Sequence, residues 1–73
     1  MLVLVGFFMH DFSQRLKSLR QSMGLTQKQF GALGGVTDTA QGNYESADET
    51  KRKAPGINYF LNLEENDTDI SYL

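Results

Sequence analysis

Twice in this sequence a glycine, an apolar residue and a threonine follow one another, as Gly24-Leu25-Thr26 and as Gly35-Val36-Thr37. That punctuation restricts the fold more than any bulk property. Glycine reaches the left-handed conformation that ends a helix, and threonine caps the start of the next. Upstream of the first stop, Phe12, Leu16, Leu19 and Met23 fall on one helical face, with Asp11 placed to cap its start. Thr26 and Gln29 have the spacing of a capping box, so a second helix starts there with Phe30 and Leu33 inward. Gly34-Gly35 turns the chain, and Thr37 caps a third helix running to about Glu45. Its inner face carries Ala40 and Tyr44; Asp38, Thr39, Gly42 and Asn43 are left outward. Residues 46–54 are polar and read as a loop. Pro55 suits the first position of a fourth helix, with Ile57, Phe60, Leu61 and Leu63 as its buried stripe. Asn66 is placed to end it in a left-handed conformation, and Ile70 and Leu73 to return a closing turn to the core. The expectation is all-α, with four to five short helices.

A chain of 73 residues makes one domain and buries only roughly 60% of its unfolded surface. Its apolar share, 40%, supplies one small core. Absence of cysteine excludes disulfides and thiolate metal sites. A lone histidine, His10, cannot make a zinc site unaided, so no metal and no cofactor are expected. Glu64 and Glu65 are adjacent, point to different helix sides and are poor partners for acid–base work. A non-enzyme follows. The aromatics Phe30, Tyr44, Tyr59 and Phe60 read as core rather than as stacking platforms. Small scaffolds of this kind rely on tight helix packing or on oligomerisation.

The first nine residues, from Met1 to Met9, are almost wholly apolar. They are too few to cross a bilayer, which takes about 20, and lack the basic start and cleavage site of a secretory signal. A cytoplasmic protein without membrane contact is the expectation. β-Branched and aromatic content suits a short strand, paired with the same segment of another subunit. A second reading makes Met9 the natural start and residues 1–8 an upstream extension. Either way the chain divides into an apolar extension, 1–9, and a folded domain, 10–73.

The net charge of −2 argues against a nucleic-acid partner, but its distribution does not. Between Phe12 and Thr37 the charged residues are Arg15, Lys17, Arg20 and Lys28, all basic. Lys51, Arg52 and Lys53 form a second basic run, whereas Glu64, Glu65, Asp67 and Asp69 make the tail acidic.

Two short helices joined by a tight glycine turn suit a helix-turn-helix, whose second helix enters the major groove while the first braces on the backbone. The strings Gly24-Leu25-Thr26-Gln27-Lys28-Gln29-Phe30-Gly31, Gly35-Val36-Thr37 and Asn43-Tyr44-Glu45 resemble the phage-repressor and Cro-type helix-turn-helix family. Pro55, Tyr59, Leu61, Asp69, Tyr72 and Leu73 are similar to its downstream helices, so the resemblance spans residues 12–73. It implies a lambda-repressor-like DNA-binding domain. Gln27 matches the family's phosphate-binding glutamine, and Thr37, Asp38, Thr39 and Asn43 fall where members touch bases or nearby phosphates. Lys51, Arg52 and Lys53 sit in the loop that approaches the backbone. Glu45 matches a glutamate that holds the scaffold together, and Gly31 stands where most members have alanine, at a close helix approach. The chain departs from the pattern at Ala47, where the family has glycine, and in a longer loop whose Asp48 and Glu49 would repel phosphate if they faced it. Gln41 occupies a usually aliphatic core position; it is either buried and hydrogen-bonded or tilted into the groove.

The resemblance thus implies a sequence-specific regulator of double-stranded operator DNA, a repressor of phage or bacterial origin. Thr37, Asp38, Thr39 and Asn43 would contact bases. Gln27, Lys28, Arg15, Arg20, Lys51, Arg52 and Lys53 would contact phosphates. It would act as a homodimer, formed through residues 1–9 or through the C-terminal helices. The rival expectation is a protein-interaction module, antitoxin-like or a dimerising adaptor, favoured by the acidic tail and the apolar opening.

Overall fold

The computed structural model describes the backbone of residues 2–73 and the side chains of residues 12–71 and 73. The described chain is all-helical: α1 Leu2–Ser22, α2 Gln27–Gly34, α3 Asp38–Tyr44, α4 Ile57–Glu65 and a closing 3₁₀ turn, Ile70–Tyr72. Its longest principal extent is 34 Å.

The apolar opening is helical, not a strand. α1 runs unbroken from Leu2, so Asp11 lies inside a helix and not at its start. Extending an existing helix adds one hydrogen bond per residue fixed and needs no new nucleus. A lone strand would instead leave its N–H and C=O groups without a ladder partner. The contacts of the side chains of residues 1–9, and with them the assembly role expected of that segment, lie outside the described residues.

Three helix ends share one hydrogen-bond pattern, in which a residue in the left-handed region lets two amides fold back on the last turn. After α1, Gly24 (φ 71°) donates to Gln21 O and Leu25 to Arg20 O. After α2, Gly35 (φ 78°) donates to Ala32 O and Val36 to Gly31 O. After α4, Asp67 (φ 62°) donates to Glu64 O and Thr68 to Leu63 O. The left-handed residue after α4 is therefore Asp67 rather than Asn66, whose φ is −95°. Starts are equally local. Thr26 accepts from Gln29 N while the Gln29 side chain accepts from Thr26 N, the full capping box. Leu25 and Phe30, which flank that box, join the same core. Thr37 accepts from Ala40 N to cap α3. Pro55 does not open α4: extended Gly56 is the cap, and the proline precedes it.

Leu16, Phe30, Tyr59 and Leu63 form the centre, with Phe12, Leu19, Leu25, Leu33, Val36, Tyr44, Phe60, Ile70 and Leu73 packed around them. Edge-to-face contacts link Phe12 to Phe60, Phe60 to Tyr59 and Tyr59 to Tyr44. The buried stripe of α4 is Tyr59 and Leu63, four residues apart, with Phe60 half-buried. Ile57 and Leu61 face solvent at 70% and 51% exposure, and Met23 is also exposed. α4 is rotated from the orientation that apolar content alone favours, because Tyr59 finds a partner for its hydroxyl inside. Asn62 and Asn66 add polar ties: Asn62 Nδ2 donates to Gly34 O and Asn66 Nδ2 to Leu33 O, meeting carbonyls at the end of α2.

Candidate functional site

α3 joins two unlike faces. Inward, Gln41 is fully buried. Its Oε1 accepts from the Tyr59 hydroxyl at 2.6 Å, and its Nε2 donates to Glu45 Oε2 at 2.6 Å. Glu45, at the C-terminal cap of α3, also accepts from Arg20 Nε at 2.9 and 3.1 Å and from Gln27 Nε2 at 3.4 Å. One polar chain, Tyr59–Gln41–Glu45–Arg20, thus ties α3 to α4 and α1, with Gln27 of α2 joining at the carboxylate. Buried charge is tolerated here because the carboxylate is both paired and hydrogen-bonded. Burial foremost, with the negative charge of Glu45 adding, raises the Tyr59 hydroxyl above the ordinary tyrosine pKa, against an opposing contribution from its hydrogen bond with Gln41.

Outward, Thr37, Asp38 and Thr39 are exposed and Asn43 is half-buried. Asp38 accepts from Thr39 N at 2.9 Å, a carboxylate at the positive end of the helix. The leading turn of this face, Thr37 to Thr39, is exposed throughout. Its presentation follows from the close seating of α2 on α3 and α4. A methyl at Gly31 would stand 3.1 Å from Val36 O and Thr37 O, and one at Gly34 would meet the Tyr59 ring inside van der Waals contact. Gly42, expected outward, lies instead beside the Gln27 side chain.

The expected phosphate-contacting set divides. Lys28, Arg15, Lys51 and Lys53 are exposed, and Arg52 and Gln27 are half-buried. Arg20 stands apart from the others. Its side chain is only 12% exposed, its Nε is committed to Glu45, and its Nη1 donates to Leu25 O at 2.9 Å. A guanidinium held from two sides in this way braces α1 against the end of α3. The structure also resolves the alternative for Gln41: buried and hydrogen-bonded, not tilted outward.

Sequence reasoning placed Tyr59 in the core and missed its link to Gln41. A polar residue at an inward helical position was the available signal, since such a group must find a partner. Asn62 and Asn66 gave no comparable signal, because their acceptors lie 28 and 33 residues away in the chain.

The loop after α3 is ordered by Asp48. Its Oδ1 accepts from Thr50 N at 2.9 Å and Thr50 Oγ1 at 2.7 Å, and its carbonyl accepts from Lys51 N and Arg52 N. The Thr50 hydroxyl, then the Thr50 amide, hold the Asp48 carboxyl below the usual aspartate range. Lys53 N donates back to Asn43 O at 3.2 Å, closing the loop onto α3.

No helix among the described residues is long and apolar enough to cross a membrane. Compared with known proteins, the chain matches no family model, no curated protein and no solved structure.

Proposed function

We propose that this protein is a sequence-specific regulator of double-stranded DNA, acting by occupancy as a repressor and without catalysis of its own. The observation that carries the reading is the two-sidedness of α3. A seven-residue helix is anchored from behind to three other helices through Gln41 and Glu45, while Thr37, Asp38 and Thr39 stand in solvent. A helix laid in the major groove needs that combination of a fixed back and small polar side chains in front. Asn43 offers a bidentate amide for adenine, Asp38 an acceptor for cytosine N4, and Thr39 a methyl for thymine. Thr37, spent partly on its cap, lies at the tip of the helix, within reach of a base or a neighbouring phosphate. Gln27, Lys28, Arg15, Lys51, Arg52 and Lys53 supply backbone contacts; Arg20 is left out for the reason given above. The module is small, so it acts as a homodimer on half-sites about one helical turn apart.

Selection of preferred sequences from a random DNA pool, with the bound stoichiometry measured on the selected duplex, tests this reading. Enrichment of a two-fold-related site bound by two chains is the expected result. On that site Asn43→Ala shifts base preference at one position, whereas Gln27→Ala weakens every sequence alike. Binding no tighter to the selected pool than to random duplex refutes the proposal.

The interaction-module reading draws on a different observation, the exposure of Ile57 and Leu61 four residues apart on α4. It predicts that both alanine variants above are silent, and that replacing Ile57 and Leu61 with serine disrupts assembly.

A further inference from the structure

The loop between α3 and α4 holds a contradiction for any anion-binding surface. Two carboxylates, Asp48 and Glu49, are separated by Thr50 alone from Lys51, Arg52 and Lys53. Screened Coulomb interaction alone makes each of them a liability beside phosphate. The hydrogen bonds separate the two. Asp48 is the organising residue of its turn: its amide donates to Ser46 Oγ at 3.1 Å, its carboxylate receives the amide and hydroxyl of Thr50, and its carbonyl receives the amides of Lys51 and Arg52. At both ends the turn is fastened to one atom of α3, since Asn43 O accepts from Ser46 N at 3.4 Å and from Lys53 N at 3.2 Å.

We propose that Asp48 is a positioning residue for phosphate contact: it folds residues 46–53 into a turn that suspends the basic run from the C-terminal end of α3, beside Asn43. This rests on the DNA-binding reading and deepens it. The residue proposed to read a base carries on its own carbonyl the loop proposed to grip the backbone, so reading and gripping keep one register. Lys51 and Lys53 are exposed on this turn, where an unfolded loop would scatter them over many conformations. The negative charge of Asp48 is directed at Thr50, and the order it brings outweighs its repulsion of phosphate.

The expected effect of losing this charge is opposite in sign to that of simple electrostatics. Binding to the selected duplex is measured by fluorescence anisotropy across a salt series, using the full chain and Asp48→Ala, Asp48→Asn and Glu49→Ala. Asp48→Ala removes a negative charge and is nevertheless expected to weaken binding several-fold. The magnitude of its salt slope should fall by about one, the signature of a lost phosphate contact. Asp48→Asn keeps an oxygen acceptor for Thr50 and is expected to bind at least as tightly as the parent. Glu49→Ala is expected to be neutral or tighter. An Asp48→Ala variant that binds as well as the parent, or better, overturns the positioning role while leaving the DNA reading intact. Equal weakening by Asp48→Asn overturns it too, since the acceptor would then be irrelevant. If the parent chain shows no salt-dependent preference for the selected duplex, both readings fall together.

Discussion

Removing the hydroxyl of Tyr59 is the sharpest test of how α3 is held. Tyr59 is 2% exposed and Gln41 fully buried, so Tyr59→Phe leaves Gln41 Oε1 without a donor in a space closed to solvent. An orphaned buried acceptor costs about 1–3 kcal/mol. A domain of 73 residues has a total stability of roughly 4–11 kcal/mol, so this one atom carries a large share. At about 4–8 °C per kcal/mol for a domain of this size, the melting temperature should fall by on the order of 5–20 °C. Urea unfolding followed by circular dichroism gives the free energy, with an unchanged m-value showing that the native state is otherwise preserved. The companion variant Gln41→Leu strands both the tyrosine hydroxyl and a hydrogen-bonding position on Glu45. In the double variant the stranded hydroxyl is gone, so the two losses should not add. A coupling of about 0.5–3 kcal/mol is expected for groups in direct contact. A Tyr59→Phe change within about 0.5 kcal/mol of the parent, or strict additivity in the double variant, refutes the network as described.

Alkaline pH gives an independent reading of the same hydroxyl. The folded-state pKa of Tyr59 is raised, so its contribution is whole below the unfolded value of about 10 and is lost as pH climbs from there through the folded pKa. The stability gap between parent and Tyr59→Phe should therefore shrink above pH ~10, as read by urea melts at stepped pH; a constant gap contradicts the burial of that group. Gly34→Ala should destabilise despite the roughly 1 kcal/mol that alanine gains over glycine in a helix, because its methyl meets the Tyr59 ring and overpacking costs about 1–3 kcal/mol. A higher melting temperature for that variant would show the α2–α4 contact to be looser than described. Asp67→Gly should stabilise by about 0.5–1 kcal/mol, since φ is 62° there and a side chain is strained in that region. Unchanged or lower stability in thermal melts would mean that the aspartate side chain compensates for its backbone strain.

The signals that proved legible were local. Gly24, Gly35, Thr26 and Thr37 act over a few residues, through φ and through single side-chain hydrogen bonds, so the ends of α2 and α3 could be read directly. The face of α4 was not legible in the same way. Ile57 and Leu61 are the more apolar choice, but Tyr59 is inside because Gln41, 18 residues earlier in sequence, offers its hydroxyl an acceptor. For the same reason Arg20 read as one more surface cation, although Glu45, 25 residues on, draws it inward. The opening was misread through its β-branched content, because intrinsic propensity yields to continuation of a helix already formed further along the chain. Pro55 marks a helix start but places it two residues too early, since Gly56 is the cap and Ile57 the first helical residue.

The seat of Tyr59 also restricts the paths by which this sequence can drift. Its ring forbids a methyl at position 34, and its hydroxyl demands an acceptor at position 41. Glycine, glutamine and tyrosine are thus three letters of one word, spelled across separate helices. An aliphatic residue at 41 costs less once 59 has lost its oxygen, although Glu45 still loses a donor, and alanine at 34 costs less once 59 has lost its ring. A descendant of this chain that carries one of these exchanges should carry a second, in that order of dependence.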